Sequence, residues 1–182
     1  MKLYRYALVV AALFVISSYQ MQLQPLRAIA GGQSNEAEGF AIYLLAKDVS
    51  ARDLPKADLK RIVLQDRPVL AEADIIAYAK ATHELQISEA AFTRIRQLSH
   101  NVHGIPFIAC LGKEPIYAGA FWSPISSINY GGVVILEPLV SERREKIIKI
   151  EMGYPSPDFA IGTDPRADKR IMDRLEAKGK LK

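Results

Sequence analysis

The sequence predicts an α+β fold, a mainly antiparallel sheet with helices packed on one face, following an N-terminal signal or anchor segment. Three observations carry that reading. Short β-prone apolar runs recur between Gly39 and Met152, with turn residues between them. Several alternate apolar and polar side chains, the period of a half-buried strand. Two stretches carry helix-start signals, one at Ser88 and one at Asp164.

The elements follow in order. MKLYRY carries Lys2 and Arg5, and ALVVAALFVIS is an uninterrupted apolar run. That run has the length of a signal-peptide core and is short of the roughly 20 residues that span a bilayer. Ala28-Ile29-Ala30 has the small-x-small pattern of a cleavage site, so residues 1–30 read as a signal peptide cut after Ala30 or as an uncleaved anchor. GGQSNEAE, residues 31–38, reads as a flexible lead. Residues 39–182 then form a single α+β domain.

GFAIYLLA, Gly39 to Ala46, is the first strand, and Arg61 to Leu64 the second. The region from Pro68 to Ile87 admits one helix, or a one-turn helix followed by strands IIAYAK and HELQI. The alternation of Leu85 and Ile87 with Glu84 and Gln86 favours the strands. Ser88 caps a helix over Glu89 to Leu98, whose stripe of Ala91, Phe92, Ile95 and Leu98 packs on the sheet. Pro106 to Leu111, the turn Gly112-Lys113-Glu114 and the strand from Pro115 make a hairpin. Gly132 to Leu136 and Ile147 to Met152 are further strands, and Tyr154-Pro155-Ser156-Pro157 stops the sheet. Asp164 caps a last helix, with Pro165 at its first position and Gly179 at its end, over about 165–178.

The middle of the chain reads PVLAEADIIAYAK, then a helix ending FTRIRQLSHNVHG, then IPFIACLGKEPIYAGAFWSPISS. This succession resembles the head of the first large periplasmic domain of SecD/SecDF, the membrane protein that assists protein export. In that family a "PVLT–D" segment leads into strands and a helix, a strand ends in "LDGK", and the next segment reads roughly "VISAPVI–EPI–G". Leu111-Gly112-Lys113 stands for the turn, Pro115 to Ala120 for the next strand, and Ser123-Pro124-Ile125 for the "EPI" step. The likeness spans about Pro68 to Gly132, inside a core of about 61–137. The family's several membrane spans have no counterpart beyond the one apolar segment at the start. The resemblance therefore implies a fold, a compartment outside the cytoplasm, and a surface that handles polypeptide.

Composition limits the partners. The formal net charge of +4 is concentrated in the leader, where Lys2, Arg5 and Arg27 meet no acid. The remainder holds 21 basic against 20 acidic residues, and Arg143-Arg144-Glu145-Lys146 is flanked by acids, so no nucleic-acid partner is expected. The single cysteine, Cys110, cannot form an intramolecular disulfide, and in PFIACL it behaves as a small hydrophobe.

Candidate chemistry centres on EPIYAGAFWSPISSINYGG, which holds the one tryptophan. No G-x-S-x-G elbow is present, and nothing in the sequence places His83, His100 or His103 beside Ser123, Ser126 or Ser127. These serines read as turn formers. His100-x-x-His103 lacks a carboxylate or cysteine partner, and DPRADKRIMDR has the wrong spacing for a calcium loop, so no metal and no cofactor is expected. Tyr117, Phe121, Trp122, Ser126, Ser127 and Tyr130 remain as candidate binding residues, their aromatics being either core or ligand surface. The small pair Gly119 and Ala120 would let a helix, a strand or an extended ligand come close. The expectation is an exported, non-catalytic domain that binds a polypeptide or partner protein, with free sheet edges as one docking mode. Two alternatives stand beside it: an extracytoplasmic hydrolase using a loop serine and a histidine, and a structural accessory subunit of a membrane assembly, joined to the membrane only through an uncleaved leader.

Overall fold

A computed structural model describes residues 38–98, 101–137 and 146–182. The expected leader and cleavage site of residues 1–30, most of the expected lead segment, His100 and the basic pair Arg143-Arg144 lie outside the described residues. The fold is α+β, with one eight-stranded sheet in the order β2-β1-β5-β6-β7-β8-β4-β3. The strands are β1 Phe40–Leu44, β2 Leu70–Ala71, β3 Ile75–Ala79, β4 Glu84–Ile87, β5 Ile105–Leu111, β6 Glu114–Trp122, β7 Tyr130–Leu136 and β8 Ile147–Tyr154. Every pairing between these strands is antiparallel except β6 with β7, where Gly119 to Trp122 run parallel to Val133 to Leu136.

The sheet is curled, and its topology requires it. β2 and β3 stand at opposite ends of the strand order, yet only Glu72–Asp74 separates them in the chain. Three residues span roughly 10 Å, so the two ends must approach each other. Helices α1 (Glu89–Arg96) and α2 (Lys169–Ala177) pack on the same face. Phe92 and Ile95 of α1 join Ile171 and Leu175 of α2 in one cluster with Phe40, Phe107, Phe121 and Ile150 from the strands. Ser88 caps α1 as its position implies, its hydroxyl accepting from the Ala91 N–H at 3.2 Å.

Gly119 shows what a missing side chain is for. A Cβ there would lie 2.4 Å from the Phe107 ring and 2.7 Å from the Val133 carbonyl. The close approach is made by a neighbouring core ring and the adjacent strand, and Phe107 and Phe121 then pack with centroids 5.2 Å apart.

Three expectations are corrected. Arg61 to Leu64 is not a strand: Leu59–Arg61 is a 3-10 turn capped by Asp58, and Leu64 makes a single bridge to Leu45. The segment crosses the outer face of the sheet, where Leu59, Ile62 and Leu64 pack against a cluster holding Tyr43, Leu54 and Cys110. The last helix begins at Lys169 with Asp168 as its cap, while the Asp164–Arg166 pair is tied to the strand β8 through the Arg166 bond to the Ile150 carbonyl. It ends at Ala177, and Gly179 (φ +66°) turns the chain away just after it as expected, with the Lys180 N–H bonded to the Leu175 carbonyl and the Gly179 N–H to the Glu176 carbonyl.

The third correction concerns edge docking. The chain's own C-terminus occupies the outer side of β3: Tyr78 N–H donates to Lys180, Lys182 N–H to Tyr78 and Lys80 N–H to Lys182. At the other end β2 is two residues long, too short to template an added strand. A buried clasp ties these ends together. Arg174 of α2 donates to both carboxylate oxygens of Glu72, at 2.8 and 3.1 Å, and Glu72 also accepts from the Phe40 N–H. Burial alone would raise the Glu72 pKa, but these bonds to Arg174 and Phe40 outweigh it and hold the carboxyl below its usual range.

Candidate functional site

The outer face of the sheet, opposite the helices, is covered by irregular chain. Residues 46–64 lie over one part of it, and Trp122, Tyr130, Val134 and Tyr154 form a separate cluster on another. Two adjoining depressions open there, of about 570 and 490 Å³. Arg52 and Asn129 line both, so they mark the junction, and the pair makes one groove.

Each wall has a local cause. Buried Leu54 anchors the 3-10 turn Leu54–Lys56 to the outer face, and this turns its exposed neighbours Arg52 and Lys56 to the solvent side along the first depression. Tyr130 opens β7; its ring stacks on Trp122 at 5.0 Å with an interplanar angle of 20°, and its hydroxyl donates to the Ala51 carbonyl at 3.3 Å. That bond couples the groove floor to the segment carrying Arg52. Gly131 and Gly132 fall where the β7–β8 register shifts between Tyr130 and Val133, a bulge in the floor. A Cβ on Gly132 would meet the Tyr130 ring at 2.7 Å, and one on Gly131 would meet Ile161 at 2.7 Å. Glycine therefore lets two side chains lie directly on the backbone. Ile161 is bonded through its N–H to the Gly131 carbonyl, yet 78% exposed.

The six candidate binding residues divide between the faces. Tyr117 and Phe121 belong to the core under the helices and do not reach the groove. Trp122 is fully buried behind Tyr130. Ser126 and Ser127 line the second depression with Tyr154 and Phe159. Ser126 is buried and holds the loop: its hydroxyl donates to Val102 at 2.7 Å and accepts from the Ile128 N–H, while Tyr154 donates to the Ser126 carbonyl. Ser127 is exposed. Ser126, Ser127 and Tyr130 are thus brought together, and Arg52, Lys56 and Ile161 complete the site. Sequence reading missed those three; the signal was the glycine pair inside an apolar strand, which marks a bulge or a close approach.

Among the described residues, no hydrogen bond joins a loop serine to a histidine. His83 instead lies with its Nδ1 2.7 Å from the hydroxyl of Tyr78. Burial, and then the Arg166 charge, depress the His83 pKa, while burial pushes Tyr78 up to about 12. Arg166 grips Asp164 and donates to the Ile150 carbonyl, and its hydrogen bonds lower the Asp164 carboxyl to about 2. Cys110 is buried and its thiol is pushed up to about 11, unsuited to nucleophilic attack. No group of three or more metal-ligating side chains gathers among the described residues. No helix among them is long and apolar enough to cross a membrane.

No family model, no curated protein and no solved structure matches this chain. The functional reading therefore rests on the groove itself.

Proposed function

We propose that this chain is an exported, non-catalytic domain that binds a polypeptide or partner protein outside the cytoplasm, through the groove at Arg52. The observation that carries the reading is the composition of that groove. Exposed apolar side chains (Ile161 and Phe159) stand beside a floor of glycine and the nearly buried Tyr130, the materials that favour an extended chain. The compartment is supported by the leader pattern of residues 1–30 and by the resemblance to the SecD head.

The test is an in-cell photo-crosslink with the probe at Ser127. Ser127 is exposed on the groove wall, whereas a probe at Ser126 would break the bond to Val102. A smear of adducts with many exported proteins is the expected result for a polypeptide binder, and one discrete adduct is the result for a dedicated partner. A folded, exported protein that gives no adduct at Ser127 overturns the reading.

A further inference from the structure

The groove's charge says more about its occupant. Arg52 and Lys56 are exposed on its wall, and neither makes an ion pair with any described residue. No aspartate or glutamate lines either depression. Four arginines elsewhere are paired, Arg94 with Asp74, Arg166 with Asp164, Arg170 with Glu114 and Asp168, and Arg174 with Glu72, while Arg52 keeps its guanidinium open to a ligand. With two cations and no acid among its lining residues, this part of the wall is positive.

Position refines the point. Arg52 lines both depressions, the first together with Ile161 and the second together with Phe159. A chain terminus would fill only one of the two depressions. A carboxylate in mid-chain would meet Arg52 while its neighbours run both ways onto apolar surface. Arginine suits this role, because its planar fork binds a carboxylate through two parallel hydrogen bonds.

Building on the binding role proposed above, we infer that the groove recognises an extended polypeptide segment with an internal aspartate or glutamate flanked by apolar residues. The acid docks on Arg52, with Lys56 adding attraction, and the flanking side chains fill the depressions toward Ile161 and Phe159. The apolar contacts supply area and the carboxylate supplies register.

The test uses the full chain and two fluorescein-labelled peptides, Gly-Val-Ile-Asp-Val-Ile-Gly and its Asn counterpart, read by fluorescence polarisation. The Asp peptide is expected to bind about tenfold more tightly than the Asn peptide, the worth of one charge-assisted pair. Arg52→Gln should abolish that difference, and Arg52→Glu should invert it toward a peptide with Lys at the same place. Because the Arg52 side chain makes no internal bond among the described residues, both variants should stay folded, which circular dichroism checks. Equal binding of the Asp and Asn peptides overturns the acid preference and leaves the groove as a polypeptide site. Binding of neither peptide, with no adduct from Ser127, overturns both. Binding to anionic phosphatidylglycerol vesicles that is lost in Arg52→Gln, with both peptides ignored, overturns the peptide and assigns the cations to a lipid surface.

Discussion

The two faces of the sheet are finished in different ways. On the inner face, two amphipathic helices cover one continuous core, and the Glu72–Arg174 clasp with the C-terminal residues locks its rim. On the outer face, two smaller clusters lie under loops and 3-10 turns, and the groove opens between those coverings. Regular helices can tile a face completely. Irregular chain leaves gaps, and its exposed positions are free to carry unpaired charge. The inner face should therefore hold most of the stability, and the outer face most of the recognition.

The largest expected effect breaks the inner face. Phe92 is 1% exposed at the centre of the α1 stripe, and Phe92→Ala should cost about 3–5 kcal/mol, as loss of a buried ring and the cavity it leaves usually do. Urea denaturation should show the midpoint falling with the slope unchanged. Next comes the clasp. Arg174→Met strands the Glu72 carboxylate, which is only 10% exposed, and should cost about 2–3 kcal/mol. Adding Glu72→Gln to that variant should recover part of the loss; a double variant as weak as the sum of the singles would show that no clasp exists. On the outer face, Gly132→Ala forces the Tyr130 ring off its bond to Ala51 and should cost only about 1 kcal/mol. Its signature is optical: Trp122, the one tryptophan and stacked on Tyr130, should change its emission.

These two faces were not equally legible in the sequence. The inner face announced itself through periodicity. The Leu85 and Ile87 alternation separated strands from a helix, the Ser88 cap placed α1, and its stripe of Ala91, Phe92 and Ile95 is buried as spaced. The slip at α2 has a clear physical cause. Asp164-Pro165-Arg166 and Asp168-Lys169-Arg170 repeat one pattern, an aspartate bonding the N–H and guanidinium two residues on. Only the tertiary contact of Arg166 with Ile150 shows which aspartate is left to start the helix. The outer face gave weaker signals. Ile62 and Leu64 alternate with exposed Val63, which mimics a strand, although the segment pairs with the sheet through little more than Leu64. The groove draws on residues near 52–56, 126–133 and 159–163, stretches far apart in the chain, and no local pattern joins them.

The smallest expected effect tests the division of labour most sharply. Arg52 has an exposed side chain with no hydrogen bond or ion pair among the described residues, and its backbone N–H is bonded to the Ser50 hydroxyl whatever the side chain. Arg52→Gln should therefore shift stability by no more than about 0.5 kcal/mol, the range for surface positions away from any packed feature. The same substitution is expected to weaken binding of the acidic peptide about tenfold. A protein that loses its ligand and keeps its urea midpoint has recognition and stability on separate faces. If Arg52→Gln lowers the midpoint as much as Arg174→Met does, the guanidinium pins the segment over the sheet, and the outer face is built for stability after all.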